Sequence, residues 1–293
     1  MTVEEARQIV QEFHDTSIYS DEDFFAFTEA MQFLIEEEQR PQDMLYLGGA
    51  YYEQKRFDLA LKYYEMAASF DYDPAYECLG YIWYYGRTGE RDYKKAYENF
   101  SKLMKKGDLV ATYKIADMYK NGYYVAKDQA RYEQIIEDLY PKVKNCRNVF
   151  DPLPEVFTRL ARIRADQGRK KEAVKLYLAA KDFLAQRIMH NAFFGNMNIM
   201  KWLIDDLYEL IPFDEEEFDF FDLYYLLKSP YTITFEAYGE KHTIISEQDG
   251  GACAVNFDGK WYRDRDDFFK GAQIDGEKLT EIYWDLETFR IVV

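Results

Sequence analysis

The residues best suited to chemistry are few and lie far apart. Asp264, Asp266 and Asp267 form one acidic cluster, with Asp258 and Asp275 close by in the chain. Carboxylates grouped in this way coordinate a hard cation or share acid–base work. The same residue type also caps helices, and Asp266 stands where an N-cap would serve a short helix around Asp266 to Lys270. The spacing of a calcium loop is absent, and the turn-and-cap role is the expectation for this cluster. His14, His190 and His242 have no companion at metal-ligand spacing. Cys78, Cys146 and Cys253 are scattered and odd in number, which argues against a disulfide framework and fits a reducing compartment. No phosphate-cradling loop, nucleophile elbow or zinc pattern occurs, and Gly250-Gly251 reads as a hairpin turn. The expectation is a chain that is not an enzyme, with no catalytic residue, cofactor or metal.

Composition points to binding instead. Aromatic residues make up 18% of the 293 residues, with 27 Tyr and 22 Phe. Tyrosine packs its ring between helices and keeps its hydroxyl near water, and it is enriched at interfaces. The net charge of −17 is unevenly spread. Residues 1–44 carry 2 basic and 12 acidic side chains, a balance of −10. Residues 45–188 carry 26 basic and 20 acidic, a balance of +6, and residues 189–293 carry 9 basic and 22 acidic, a balance of −13. A mildly basic middle between acidic flanks predicts attraction to something acidic, either an outside partner or the chain's own flanks. So negative a whole weighs against nucleic acid, where Lys and Arg supply most of the affinity. The N-terminus is acidic where a signal peptide is basic, and no run approaches the ~20 apolar residues that span a bilayer. The expectation is a soluble, cytoplasmic protein with no membrane partner.

Four segments share one frame. Each carries an apolar residue before a small one: Leu47-Gly48, Leu79-Gly80, Ile115-Ala116 and Leu160-Ala161. Three residues later stand Tyr51, Trp83 and Tyr119, with Arg164 in the fourth copy. A second pivotal pair follows in each: Ala60 and Tyr64, Ala96 and Phe100, Tyr132 and Ile136, Ala173 and Tyr177. Small residues let helix backbones approach, and bulky rings fill the space beside the crossing. The small positions lie 32, 36 and 45 residues apart, enough for two helices and two turns per unit. Asp73-Pro74, Lys106-Gly107-Asp108 and Asp151-Pro152-Leu153-Pro154 supply turns between units.

On these residues the chain resembles two related families. The first and fourth segments, LYLGGAYYEQKRFDLALKYYEMA and LARIRADQGRKKEAVKLYLAA, are similar to tetratricopeptide repeats. The second and third resemble Sel-one-like repeats, which lengthen the loop inside the hairpin. They carry Gly86, Asp92-Tyr93, Ala96, Gly107 and Ala111, then Gly122, Val125 and Asp128. The resemblance covers about half of the chain. It implies a right-handed α-solenoid whose concave face binds proteins or peptides, and it implies no reaction. Carried over residue by residue, it implies a trough lined by Tyr52, Glu77, Tyr81, Tyr84, Tyr113, Asp117, Lys120, Thr158 and Arg162. Tyrosines beside a Lys and an Arg suit an extended peptide with an acidic or backbone-rich face.

The flanks complete the expected architecture, which is mainly α with a small α+β domain at the end. Residues 1–40 predict capping helices. The first opens on a Thr2-x-x-Glu5 capping box and turns Ala6, Ile9, Val10 and Phe13 to one face. The second starts near Asp21 with Phe24, Phe27, Met31 and Leu34 inward. Residues 41–188 are the repeat array. Residues 189–228 predict two more helices, Met197–Ile211 and Glu215–Lys228, that continue or cap it. From Ser229-Pro230 the period changes to two, which predicts strands over Tyr231–Tyr238, His242–Glu247, Ala252–Phe257, Lys260–Tyr262 and Phe289–Val293. A helix over Leu279–Leu286 precedes the last of them. This part, 229–293, is small enough to lean on the preceding helices. Two functions fit. One is an adaptor holding a peptide or protein on the solenoid, with an acidic flank competing for the basic middle. The other is a small catalytic or toxin-neutralising α+β domain on a helical handle. A third, purely structural role would stack aromatic faces into dimers.

Overall fold

The computed structural model describes residues 1–15, 20–190, 194–249 and 252–292. Within them the chain divides into two compact units, Met1–Ile135 and Ile136–Val293.

The first unit is helical throughout. Thr2 and Glu5 form the capping box: the Thr2 hydroxyl accepts from the Glu5 amide at 3.2 Å and the Glu5 carboxylate from the Thr2 amide at 2.6 Å. They open α1 (Val3–His14), and Ser20 with Asp23 opens α2 (Asp21–Glu38) in the same way. Phe13 stacks on Phe27 at 4.2 Å, so the two helices bury their apolar faces against each other, and α2 packs on the first hairpin. Two hairpins come next, α3 (Pro41–Glu53) with α4 (Phe57–Ala68), and α5 (Asp73–Tyr85) with α6 (Tyr93–Lys105). Then come α7 (Leu109–Asn121) and α8 (Gln129–Val143), within which the boundary between the units falls.

The small positions sit at the close crossings. A Cβ added to Gly48 would lie 2.6 Å from the Tyr64 ring, and one added to Gly80 would lie 2.5 Å from Phe100. Those two rings are the second pivotal residues of their repeats. Ala60, Ala96, Ala116, Ala161 and Ala173 are fully buried. The loop inside each hairpin is closed by one equivalent bond. The backbone N–H of Arg56, Asp92, Asp128 and Arg169 donates to the carbonyl of Tyr51, Trp83, Tyr119 and Arg164, at 2.9, 3.1, 2.9 and 2.8 Å. Arg164 thus stands in frame although its side chain differs. The second and third hairpins carry the longer loops, Gly86–Asp92 and Gly122–Asp128, each beginning with a glycine in left-handed conformation (φ 64° and 72°).

The second unit begins with the rest of α8 and the hairpin α9 (Leu153–Asp166) and α10 (Lys170–His190), against which α11 (Phe194–Leu210) packs. The helix expected over Glu215–Lys228 shrinks to a 3-10 turn at Phe220–Asp222 and one turn of α12, Leu223–Leu226. Four consecutive carboxylates, Asp214 to Glu217, repel one another. Phe213 folds back onto Tyr208 and Tyr225, and Phe218 onto Phe213, instead of following a helical face.

The chain then forms an antiparallel sheet. Its strands are β1 (Thr232–Ala237), β2 (Glu240–Asp249), β3 (Ala252–Phe257), β4 (Lys260–Tyr262) and β7 (Leu286–Val292). They lie in the order β4-β3-β2-β1-β7. Gly250 and Gly251, the expected turn between β2 and β3, lie outside the described residues. Helix α13 (Arg265–Gly271) and a hairpin of β5 (Gln273–Ile274) and β6 (Glu277–Lys278) complete the unit. The helix expected over Leu279–Leu286 is a turn ending in a 3-10 segment at Tyr283–Asp285. Thr280, Ile282, Tyr283 and Trp284 are poor helix formers, and the Leu279 amide is tied to the Ala272 carbonyl at 3.0 Å. Helix α13 and the 3-10 segment pack on the helices before the sheet: Phe269 stacks on Tyr224 at 3.7 Å and Phe221 meets Tyr283 at 4.8 Å. No described helix is long and apolar enough to cross a membrane.

Candidate functional site on the tyrosine face

In the first unit four of the expected trough residues, Glu77, Tyr81, Tyr84 and Tyr113, gather about a lysine. Helix α5 places Tyr81 and Tyr85 one turn apart, and their rings stack at 6.0 Å. Helix α7 sends Lys114 among them. Its ammonium lies 4.9 Å from the Tyr81 ring centre, 5.3 Å from Tyr113, 5.5 Å from Tyr84 and 5.6 Å from Tyr85. It also donates to the Tyr85 hydroxyl at 3.3 Å. An ammonium on ring faces gains electrostatic energy while keeping its charge, about 2 kcal/mol where water is excluded. Glu77 lies beside this group. Burial pushes its carboxyl up and Asp108 adds to the push, while Lys114 opposes it.

The cluster extends in two directions. Toward the first repeat, Arg87 lies 5.3 Å from the Tyr85 ring, and its Nε donates to the Tyr52 hydroxyl at 2.9 Å. Toward the third, Tyr84 meets Tyr123 edge-on at 5.9 Å, and Tyr123 stacks on Tyr93 at 4.2 Å. Lys120 lies 5.2 Å from the Tyr132 ring, and Asp117 is half-buried near Tyr123. Tyr113 and Lys114 are both buried, so they form the floor and not the rim; Tyr85 is 43% exposed. Lys114, Tyr85 and Arg87 were not among the expected residues. The i, i+4 spacing of Tyr81 and Tyr85 carries a signal for the second, whereas nothing local shows that Lys114 turns inward.

The two expected residues of the second unit have different surroundings. Thr158 is buried, with its hydroxyl donating to the Pro154 carbonyl at 2.6 Å. Arg162 donates to the Asp206 carboxylate of α11 at 2.5 Å, and the Tyr177 hydroxyl donates to the same oxygen at 3.0 Å. Nearby in the same unit, the buried Lys181 bridges Asp222 at 2.7 Å and Asp219 at 2.8 Å. Burial pushes the Asp222 carboxyl up, and Asp219 pushes the same way.

The acidic residues near the sheet are engaged in structure. Asp264, and not Asp266, is the N-cap of α13, accepting from the Asp267 amide at 2.8 Å. Asp266 pairs with Lys201 at 2.5 Å, and Asp267 accepts from the Arg263 amide at 3.1 Å. Asp258 lies 2.6 Å from the Nδ1 of the buried His242. Among the described residues, no group of three or more His, Cys, Asp or Glu is placed to hold a metal ion.

No protein-family model and no curated protein matches the chain. Among solved structures it is similar to a Sel1 repeat protein from Oxalobacter formigenes, with a TM-score of 0.51 and 21% identity over 73% of this chain and 80% of that one. A protective antigen of uropathogenic Escherichia coli strains with an SLR fold matches at a TM-score of 0.48 and 17% identity, over 73% of this chain and 50% of that one. The C-terminal part of a TPR repeat-containing protein from Cytophaga hutchinsonii matches at 0.37 and 14%, over 73% and 92%. The chain therefore has the helical-repeat fold of Sel1-like proteins, followed by a C-terminal antiparallel sheet.

Proposed function

We propose that this protein is a binding scaffold that holds an extended, acidic peptide or protein segment on the tyrosine face of its first unit. The observation that carries the proposal is the cluster of Tyr52, Tyr81, Tyr84 and Tyr85 around Arg87 and Lys114. Its cations rest on rings and hydroxyls. Tyrosine offers a broad apolar surface and a hydroxyl for peptide carbonyls, at low entropic cost. The cations add attraction for carboxylates. Tyr52, Glu77, Tyr81, Tyr84, Asp117 and Lys120 are the surface contacts in this proposal, with Tyr113 beneath them. Thr158 and Arg162 act through packing in the second unit. The scaffold is assigned no reaction, and its three free cysteines support a place in the cytoplasm.

The basic middle also has an internal partner. Asp206, Asp219 and Asp222, all from the acidic C-terminal stretch, pair with Arg162 and Lys181 of the fourth repeat. These pairs support docking of an acidic flank on the repeats within the second unit.

The test is fluorescence anisotropy of labelled extended peptides, acidic, neutral and basic, titrated with the full chain. Acidic peptides should bind at least about tenfold more tightly than basic ones at low salt, and Tyr81→Ala with Tyr84→Ala should remove the difference. Equal affinity for all three across a salt series would refute the proposal.

A further inference from the structure

We infer that the second unit carries a separate binding site for a basic peptide segment, in a cleft beside the open edge of its sheet. The cleft has a volume of about 520 Å³ and is lined by Glu215, Pro230, Tyr231, Ile245, Glu247 and Ile291, with Thr232, Ser246 and Val292 between them.

Three features define its occupant. The first is charge. Glu215 and Glu247 both stand exposed at the cleft, and Glu215 lies within the run Asp214 to Glu217. Arg290, opposite Thr234, stands on the same face two residues from Val292, so the two carboxylates outnumber the one cation beside the cleft. The second is the wall. Pro230, Tyr231, Ile245 and Ile291 offer apolar surface to an aliphatic stem, and the Tyr231 ring offers a face to its cationic head. The third is the edge. Among the described residues β7 ends the sheet and pairs with β1 alone, and its Ile291 and Val292 reach the cleft. An added strand finds backbone partners there, and its side chains drop into the neighbouring pocket. The floor is fixed in advance. The buried Ser246 hydroxyl donates to the Ser229 carbonyl at 2.6 Å and accepts from the Tyr231 amide at 2.8 Å. An extended peptide with an Arg or Lys between apolar residues satisfies all three features. A small free amine satisfies only the first two.

The probe is a terminally blocked peptide of sequence Ala-Val-Arg-Val-Ala, titrated into the full chain by calorimetry at low salt, beside its citrulline analogue and free arginine amide. The arginine peptide should bind at least about tenfold more tightly than either comparator, and Glu215→Gln with Glu247→Gln should cost about tenfold. Both substitutions are on exposed side chains and leave the fold intact. Lys114→Met should leave this binding unchanged, which separates the site from the tyrosine face. Equal binding of the citrulline peptide, equal binding of arginine amide, undiminished binding by the double variant, or no binding of the arginine peptide overturns the inference.

Discussion

The two units hold their buried lysines in opposite ways. In the first, Lys114 lies over the rings of Tyr81, Tyr84, Tyr85 and Tyr113. Arg87, Lys102 and Lys95 also meet rings, whereas Lys95 pairs with Asp92 as well, and Arg40 and Lys106 pair with carboxylates. In the second, Arg162, Arg164, Lys181, Arg187 and Arg265 each face a carboxylate. A ring stabilises a cation without cancelling its charge, whereas a carboxylate neutralises it. The same repeat frame thus holds a charged lysine beneath a ring-lined face in one place and neutral, internally paired cations in another. The next stretch of chain supplies part of the difference: a segment rich in aspartate meets Arg162 and Lys181, while Arg164 and Arg187 pair with Glu137 and Glu155 of the repeats themselves.

The sharpest way to break this contrast is to remove a carboxylate from the second unit. Asp222→Ala should cost about 3 kcal/mol, because Lys181 stays buried with only the more exposed Asp219 to meet it. Thermal denaturation measures the loss, and hydrogen exchange should place it in α10. Replacing both partners, as Lys181→Met with Asp222→Leu, should recover most of it. A smaller effect falls on the first unit. Gly80→Ala drives a methyl into the Phe100 ring and should cost about 2 kcal/mol. Gly49→Ala meets nothing within 4 Å and should be neutral or slightly stabilising.

Acid should act on the second unit more gently. Burial pushes the Asp205 carboxyl up, but hydrogen bonds from Arg265 and Lys228 outweigh it and hold the group below its usual range. The hydrogen bond from Arg164 likewise holds Glu137 low. Groups lowered in the folded state contribute stability that is complete above the ordinary carboxylate range and lost as pH falls through the folded value. The second unit should therefore weaken from about pH 5 downward. Asp222, whose carboxyl is raised, runs in the opposite sense. The Asp205 contribution is isolated by comparing wild type with Asp205→Asn, which should be about 1.5 kcal/mol less stable at neutral pH and should flatten the loss in acid. The smallest effect is on Lys114→Met, where losing the ring contacts is offset by no longer burying an ammonium, so stability should change by less than about 1 kcal/mol while binding alters.

The repeats were legible because packing at a close crossing permits few residue types. Gly48 faces Tyr64 and Gly80 faces Phe100, and each pair declares itself through spacing alone. The Thr2 and Ser20 caps were legible for a similar reason, since each is a local hydrogen-bond pattern. The segments misjudged as helices, Glu215–Lys228 and Leu279–Leu286, have apolar residues at helical spacing, but their rings are claimed by distant partners. Phe218 meets Phe289, and Phe221 meets Tyr283. Such long-range demands leave no periodic trace. The tyrosine face was half legible: the frame yields Tyr52, Tyr81 and Tyr84, but Lys114 depends on how α7 turns against α5. Nor does spacing reveal that Asp206, 44 residues on, meets Arg162.

One comparison goes directly to the centre: the affinity of one acidic extended peptide for the full chain, for Lys114→Met and for Arg162→Met, at low and high salt. Loss of at least about tenfold with Lys114→Met, and little change with Arg162→Met, is the predicted result. Equal losses from both, or none from Lys114→Met, would contradict the assignment of binding to cations held on rings.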